Sequence, residues 1–263
     1  MSISEAKTPT SQTATPSPEL ETMYRAGVHV AYQRARRHPK MRKYIAGMKN
    51  AVEVFHLERV NEQLALAVTA MEALGERGGM LLWVGTKPLA SQTIIEAAKT
   101  TAQPYVARRW LGGTLTNFSA INGRIQHWKT LVGDRERGEL AKYTKQERLR
   151  LDEEIEKLSK SFSGLETLEK LPDAMFVVDP THEMTAVNEG KKRRVPLFAL
   201  MNSDCNPTGI TYVIPANDNS STSVAHIIEI MKSAYVRGAK QRQINMDAAA
   251  RAVVAPQTPE ATA

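Results

Sequence analysis

Met80-Leu81-Leu82-Trp83-Val84-Gly85-Thr86-Lys87-Pro88 decides the fold. Its first five residues are all apolar and leave no polar face, the pattern of a strand covered on both sides in a parallel sheet. Gly85 to Pro88 breaks the run and starts a helix, because proline is tolerated in a first helical turn. That helix is predicted to reach about Ala102. Tyr105-Val106-Ala107, Ala174 to Pro180, Pro196 to Met201 and Thr211 to Pro215 are further strand-like runs, and Val52 to Leu57 is another. Helical spacing of Leu64, Leu66, Ala67, Val68, Ala70, Met71 and Leu74 predicts a helix that Gly78-Gly79 ends. More helices are predicted through about Lys192 and from Ser221 to Val236, the latter capped by Asn217, Asp218 or Ser220. Strands alternating with helices make an α/β/α core on a parallel sheet.

The middle of the chain departs from this alternation. Phe118, Ile121, Ile125, Trp128 and Val132 are spaced 3, 4, 3, 4, and Leu151, Ile155, Leu158, Phe162 and Leu165 are spaced 4, 3, 4, 3. Both are heptad seams. A polar loop from Gly133 to Gly138 and its continuation join them, which predicts an inserted antiparallel coiled-coil hairpin that projects from the core. Glu153–Lys157 and Glu156–Lys160 are its expected i,i+4 pairs.

The division expected is a core of residues 19–115 and 167–246 with a helical hairpin at 116–166. A helix start at Ser17-Pro18-Glu19, with Ser17 as cap, leads into the core. Residues 1–18, rich in Ser, Thr and Pro, and 247–263 read as disordered tails. The N-terminus lacks the apolar core of a secretory signal and the arginines of a presequence. No apolar run approaches the ~20 residues of a membrane helix. Cys205 is the only cysteine, so a disulfide framework and a cysteine zinc site are ruled out and a reducing, cytoplasmic setting is expected. Lys and Arg outnumber Asp and Glu by 35 to 28 in 263 residues, a formal net charge of +7 that favours an anionic partner.

No constellation carries catalysis. Gly85-Thr86-Lys87 lacks the spacing of a phosphate-binding P-loop, and no G-x-G-x-x-G follows a strand. The histidines have no paired metal-ligand spacing, and neither a metal nor a cofactor is expected. Asp179-Pro180-Thr181-His182-Glu183 follows a strand and so lies at the sheet's carboxyl edge, where ligands often bind. Its plainer reading has Asp179 ending the strand and Thr181 capping the next helix. Asn206-Pro207-Thr208-Gly209 is turn chemistry, which makes Cys205 a poor nucleophile.

The cations form a better pattern. Arg34, Arg36, Arg37, Lys40, Arg42 and Lys43 make one dense basic segment, and Arg108-Arg109-Trp110 a second. Lys191-Lys192-Arg193-Arg194 is a third, or simply the charged end of a helix, where the macrodipole favours cations. Arginine forks pair with phosphate, and structured RNA is recognised by shape and backbone contacts, so scattered cations on a rigid surface suit it.

Several motifs in order carry a family likeness: Ala26-Gly27-Val28-His29, His38-Pro39-Lys40-Met41, Val84-Gly85-Thr86-Lys87 and Arg109-Trp110-Leu111-Gly112-Gly113-Thr114-Leu115-Thr116-Asn117. Leu171-Pro172-Asp173-Ala174, Phe176 to Pro180, Asp204 to Gly209 and Tyr212 to Asp218 continue it. From about Met23 to Gly238 the chain resembles the bacterial S-two family of small-subunit ribosomal proteins. The resemblance implies a flavodoxin-like or Rossmann-like three-layer α/β/α core carrying the hairpin. It implies a non-enzymatic structural constituent of the small subunit that supports translation. It also implies binding to 16S-type ribosomal RNA near the head–body junction, beside other ribosomal proteins including the large S-one protein, with no membrane and no small-molecule substrate. The family often reads A-G-V-H-F-G-H-Q where this chain has Tyr32 in place of the second histidine. Arg34, Arg36, Arg37, Lys40, Arg42, Lys43, Lys87, Arg108 and Arg109 are the expected phosphate contacts. Trp110 would stack or anchor, Gly112 and Gly113 would permit close approach, and His38, Thr114 and Asn117 complete the candidate set. The alternative is a Rossmann-like nucleotide-binding enzyme.

Overall fold

A computed structural model describes residues 18–254. α1 (Pro18–Arg25) begins with its proline in the first turn. Two short 3-10 turns follow, Arg34–Arg36 and Pro39–Tyr44. β1 (Ile45–Lys49) and β2 (Val52–Phe55) then form an antiparallel pair of their own. The sequence does not mark β1, because its residues are mostly exposed and show neither an apolar run nor alternation. Asn50 and Ala51 join the two strands with φ of 51° and 64°, the left-handed pair that a tight two-residue hairpin uses.

The core follows as α2 (Leu57–Glu76), β3 (Leu81–Val84), α3 (Pro88–Thr101) and β4 (Tyr105–Val106). After the hairpin helices α4 (Phe118–Glu136) and α5 (Lys145–Phe162) come β5 (Ala174–Val178), α6 (Met184–Lys192), β6 (Leu197–Met201), β7 (Tyr212–Pro215) and α7 (Ser221–Val254). The five strands β3 to β7 are all parallel, in the order β4-β3-β5-β6-β7. Numbered from β3, that is the 2-1-3-4-5 order of flavodoxin-type sheets, with its switch point between β3 and β5. The chain is thus a three-layer α/β/α fold.

Side chains alternate across the sheet, and this builds two cores. Leu81, Trp83, Phe176 and Val178 point to the layer of α2, α3 and α7. Leu82, Val84, Met175 and Val177 point to the layer of α6 and the hairpin. All of these residues are fully buried, as the unbroken apolar runs require. Two glycines set the spacing of the first layer. A Cβ on Gly75 would meet the backbone of Tyr235 and Ala239, and one on Gly238 would meet the backbone of Glu72 and Glu76. α2 and α7 therefore cross at backbone contact, through a notch that only glycine permits.

Ile121, Ile125 and Trp128 of α4 and Ile155, Leu158 and Phe162 of α5 are buried as the heptads require. Leu131, rather than the expected Val132, completes the α4 seam. Trp128 Nε1 donates to Ser159 Oγ across the seam at 2.9 Å, and His127 lies 3.3 Å from Glu154. No ion pair forms at Glu153–Lys157 or Glu156–Lys160 among the described residues. The seam is continuous with the second core, since Phe162, Leu165 and Leu168 belong to the same cluster as Leu82, Val84 and Val106. The hairpin base is therefore packed on the sheet. A Cβ on Gly164 would strike the Tyr105 backbone and ring, so the return from the hairpin also closes tightly on β4.

α7 is longer than the sequence reading, extending to Val254 instead of Val236. Residues 247–254, expected in a disordered tail, are helical; Asp247 to Ala252 is mostly alanine, the strongest helix former. The rest of both expected tails, with the Ser17 cap, lies outside the described residues.

Candidate nucleic-acid interface

The carboxyl edge of the sheet is where a doubly wound fold offers a ligand crevice, and here it is closed from within. Lys87, one residue before α3, sends its ammonium 2.5 Å from Asp179 Oδ2 at the end of β5 and 2.7 Å from Asp218 Oδ2 after β7. Asn202 Nδ2 donates to the other Asp218 oxygen at 2.7 Å. Thr86 donates both its N–H, at 2.7 Å, and its hydroxyl, at 2.5 Å, to buried Glu183 Oε1. Burial opposes the charges of Lys87 and Asp179, but their mutual contact outweighs it: the lysine is held well above its ordinary pKa and the aspartate below. Lys87, expected to meet phosphate, is instead committed to two carboxylates, so it is not carried into the phosphate-contacting set below.

Asp179 ends its strand as read, with φ of 56°. Its Oδ1 accepts the N–H groups of Thr181 and His182 at 3.0 and 3.2 Å. α6 starts only at Met184, so Thr181 is not its cap. Cys205 is buried, and that burial pushes its thiol far up in pKa, which leaves it unreactive. Asn206 Oδ1 accepts the Thr208 N–H at 3.0 Å, the turn its sequence predicts.

The Arg108–Asn117 motif is organised by a residue that its own sequence does not contain. Glu189 of α6 is buried, and its Oε1 accepts Trp110 Nε1 at 3.0 Å and the Gly113 N–H at 2.8 Å. Its Oε2 accepts the Leu115 N–H at 2.9 Å and both the N–H and hydroxyl of Thr116 at 3.0 Å. Burial raises the cost of this charge, yet the bonds from Trp110, Thr116, Gly113 and Leu115 hold its pKa below the ordinary glutamate value. Trp110 is therefore an anchor; with its indole buried, it offers no face for stacking. Thr114 is fully buried and its hydroxyl donates to the Leu111 carbonyl at 2.6 Å, while Gly113 takes φ of 93°. Gly112 is open to approach, with nothing within 4 Å of where a Cβ would stand. Asn117 is exposed and precedes α4 without a side-chain cap. Arg108 and Arg109 are exposed on the outside of this anchored loop. The signal for Glu189 was faint: it shares the buried face of α6 with Ala186, Val187 and Gly190, an odd place for a carboxylate.

The basic segment is pinned by Met41 and Tyr44, which enter the first core. His38 N–H donates to the Ser203 carbonyl at 2.8 Å, and its Nδ1 accepts the Lys40 N–H at 3.3 Å. Arg36 pairs with Asp204 at 3.2 Å and lies over the Tyr32 ring at 3.9 Å, so the tyrosine in the histidine's place supports a cation. Arg37 pairs with Glu53 at 2.5 Å. Lys43 lies 4.8 Å from the centroid of Tyr44. Arg34 and Arg42 are exposed.

α6 joins the segments. Lys40 Nζ donates to Thr208 Oγ1 at 2.6 Å, and Lys191 Nζ donates to the Thr208 carbonyl at 2.7 Å. Two residues further on, Arg193 donates to the carbonyls of Leu115 at 2.9 Å and Thr116 at 2.6 Å. The charged end of α6 thus bridges the 34–43 segment to the 108–117 loop, and three basic runs far apart in sequence are tied to one another. Among the described residues, Arg34, Lys40, Arg42, Lys43, Arg108, Arg109 and the four cations at 191–194 pair with no carboxylate.

Fold and site together define a doubly wound α/β protein whose ligand crevice is filled by its own side chains and whose free cations lie outside it. Comparison with known proteins makes the class specific. Residues 23–238 match the family model described as Ribosomal protein S2. Small ribosomal subunit protein uS2 of Roseiflexus sp. (strain RS-1) is 39% identical over 224 residues, covering 85% of this chain and 86% of the relative. The protein of the same name from Chloroflexus aggregans is 34% identical over 228 residues, covering 87% and 96%. That of Nitrobacter winogradskyi is 36% identical over 230 residues, covering 88% and 69%. The chain belongs to the ribosomal protein S2 family. It is a structural protein of the small ribosomal subunit and not an enzyme, which sets aside the nucleotide-enzyme alternative. No helix among the described residues is long and apolar enough to cross a membrane.

Proposed function

We propose that the band formed by the 34–43 segment, the end of α6 and the 108–117 loop holds the backbone of small-subunit ribosomal RNA. One observation carries this reading: the Lys40–Thr208–Lys191 and Arg193–Leu115 contacts gather carboxylate-free cations from three segments on one rigid frame. In this reading Arg34, Arg36, Arg37, Lys40, Arg42, Lys43, Arg108 and Arg109 meet phosphates, and His38, Trp110, Gly113, Thr114 and Asn117 shape the surface. Gly112 leaves room for close approach. The setting is the 16S-type RNA near the head–body junction of cytoplasmic ribosomes, with neighbouring ribosomal proteins and the S-one protein beside it.

The test is binding of a small-subunit rRNA transcript across a salt series. Each neutralised phosphate contributes roughly 0.7–0.9 to the log–log slope. The slope should be steep, and Arg108→Ala/Arg109→Ala should reduce it by about 1.4–1.8 without lowering the melting temperature. A flat salt dependence, or a double variant that enters subunits normally, would remove the RNA role from these residues.

A further inference from the structure

Beside the basic segment a cleft of about 250 Å³ opens, lined by Arg34, Arg37 and Arg42, by residues 45–48 of β1 and by Glu53. Three guanidiniums around one small cleft repel one another unless something fixes them. Met41 and Tyr44, buried in the core, fix the turn that carries Arg42. Glu53 fixes Arg37. It stands on β2 at 3% exposure, and its Oε1 accepts Arg37 NH1 at 2.5 Å. The pair is one-legged. Glu53 Oε2 has no donor, although an arginine fork can satisfy both carboxylate oxygens. Arg37 therefore keeps its other N–H groups free of any protein acceptor among the described residues, as do the side chains of Arg34 and Arg42. The facing wall is β1, which pairs only with β2, so its outer backbone edge is unpaired among the described residues. Met48 on that strand is 62% exposed and offers an apolar surface.

Cations that lack acceptors, a free strand edge and an apolar wall around a cleft of this size suit one phosphodiester with its sugar. We propose that the cleft seats a single backbone phosphodiester of the ribosomal RNA, and that Glu53 is a positioning residue that holds Arg37 ready for it. This rests on the rRNA-binding reading above and makes a prediction of opposite sign to simple charge counting. Removing an acid from a basic face should strengthen RNA binding if only net charge matters. If Glu53 positions Arg37, removing its charge weakens binding.

The experiment measures affinity for a small-subunit rRNA transcript at fixed salt for the full chain and its variants. Glu53→Gln should weaken binding about tenfold, the loss of one oriented charge-assisted contact. Arg37→Lys keeps the charge but loses the fork, and should weaken binding about fivefold or more. Arg37→Lys also decides the matter if Glu53→Gln melts early. Inorganic phosphate, titrated calorimetrically, should show no saturable binding; saturable binding would mark a small-anion site and overturn the proposal. If the parent chain binds the transcript with a steep salt slope and both variants match or exceed it, the cleft has no such role although the RNA reading stands. If the parent chain does not bind the transcript, the RNA reading itself fails.

Discussion

Replacing Glu189 by alanine tests whether one buried carboxylate builds the Arg108–Asn117 loop. The side chain accepts five hydrogen bonds from Trp110, Gly113, Leu115 and Thr116. Bonds to a charged acceptor contribute about 1.5–3 kcal/mol each, but five bonds to one carboxylate do not add. Gly113 and Thr116 are half-buried and can turn to water once the acceptor is gone. The Trp110 indole N–H and the Leu115 N–H cannot, since both residues are buried. Two stranded donors at about 1–3 kcal/mol each place the cost near 3–5 kcal/mol, the range for removing one partner of a buried charged pair. In a domain of this size that lowers the melting temperature by about 6–20 °C. Urea titration followed by tryptophan fluorescence reads the cost as a shift in midpoint. A change within about 0.5 kcal/mol, the scale of an ordinary surface substitution, would refute the role given to Glu189.

The same residue makes a pH prediction. Its folded pKa lies below the unfolded value of about 4.3. Its stabilisation is therefore complete above that value and is lost as pH falls through the folded pKa. Glu189→Gln lacks this component, so the stability gap between parent and variant should be widest near neutrality and close on acidification. A gap that widens below pH 4 would contradict a charge held by hydrogen bonds.

Three further substitutions probe the frame. Ala51→Gly relieves a left-handed alanine, whose strain is about 1–2 kcal/mol, and after the entropy of glycine should stabilise the chain by about 0.5–1 kcal/mol in a thermal or urea melt. Gly238→Ala drives a methyl into the Glu72 carbonyl and should cost about 2–3 kcal/mol by the same melts, because neither helix can move apart without opening the core. Lys87→Met leaves Asp179 and Asp218 without their shared cation and should cost about 3–5 kcal/mol at neutral pH. In that variant Asp179 loses the ammonium that holds its pKa down while its burial remains, so melts across a pH series should show it gaining stability as pH falls toward 5.

The parallel strands were readable because burial on both faces leaves a continuous apolar signature, as in Leu81 to Val84 and Ala174 to Val178. The hairpin was readable for the opposite reason: its seams repeat at heptad spacing against charged outer faces. β1 left no trace, since an exposed edge strand selects neither pattern. α7 runs past its expected end at Val236, and Gly238 just beyond that point is a crossing notch inside the continuing helix. Individual cations were visible in the chain, but their state was not. Nothing local distinguishes Lys87, held between two acids, from Arg108, exposed, because the partners of Lys87 arrive from the ends of β5 and β7. Glu189 was hidden for a related reason, its five donors lying more than seventy residues away in sequence.

The two hidden features explain how a fold suited to nucleotide binding serves a structural role. A flavodoxin-type sheet invites an anion at the switch point, because two strand ends diverge and leave donors pointing into the gap. Here the donors are consumed internally: the Thr86 N–H goes to Glu183 and the Lys87 ammonium to Asp179 and Asp218. Two carboxylates hold that ammonium and a third, Glu183, takes the donors of neighbouring Thr86, an excess of negative charge that repels phosphate. Glu189 performs the complementary task in the loop after β4. It draws the loop's inward donors onto itself and leaves Arg108 and Arg109 on the outside. Buried acids thus remove the interior anion site and at the same time fix where the exterior cations stand. Positive charge that would serve a cofactor in the crevice is displaced to the surface, where a rigid frame spaces it along the band.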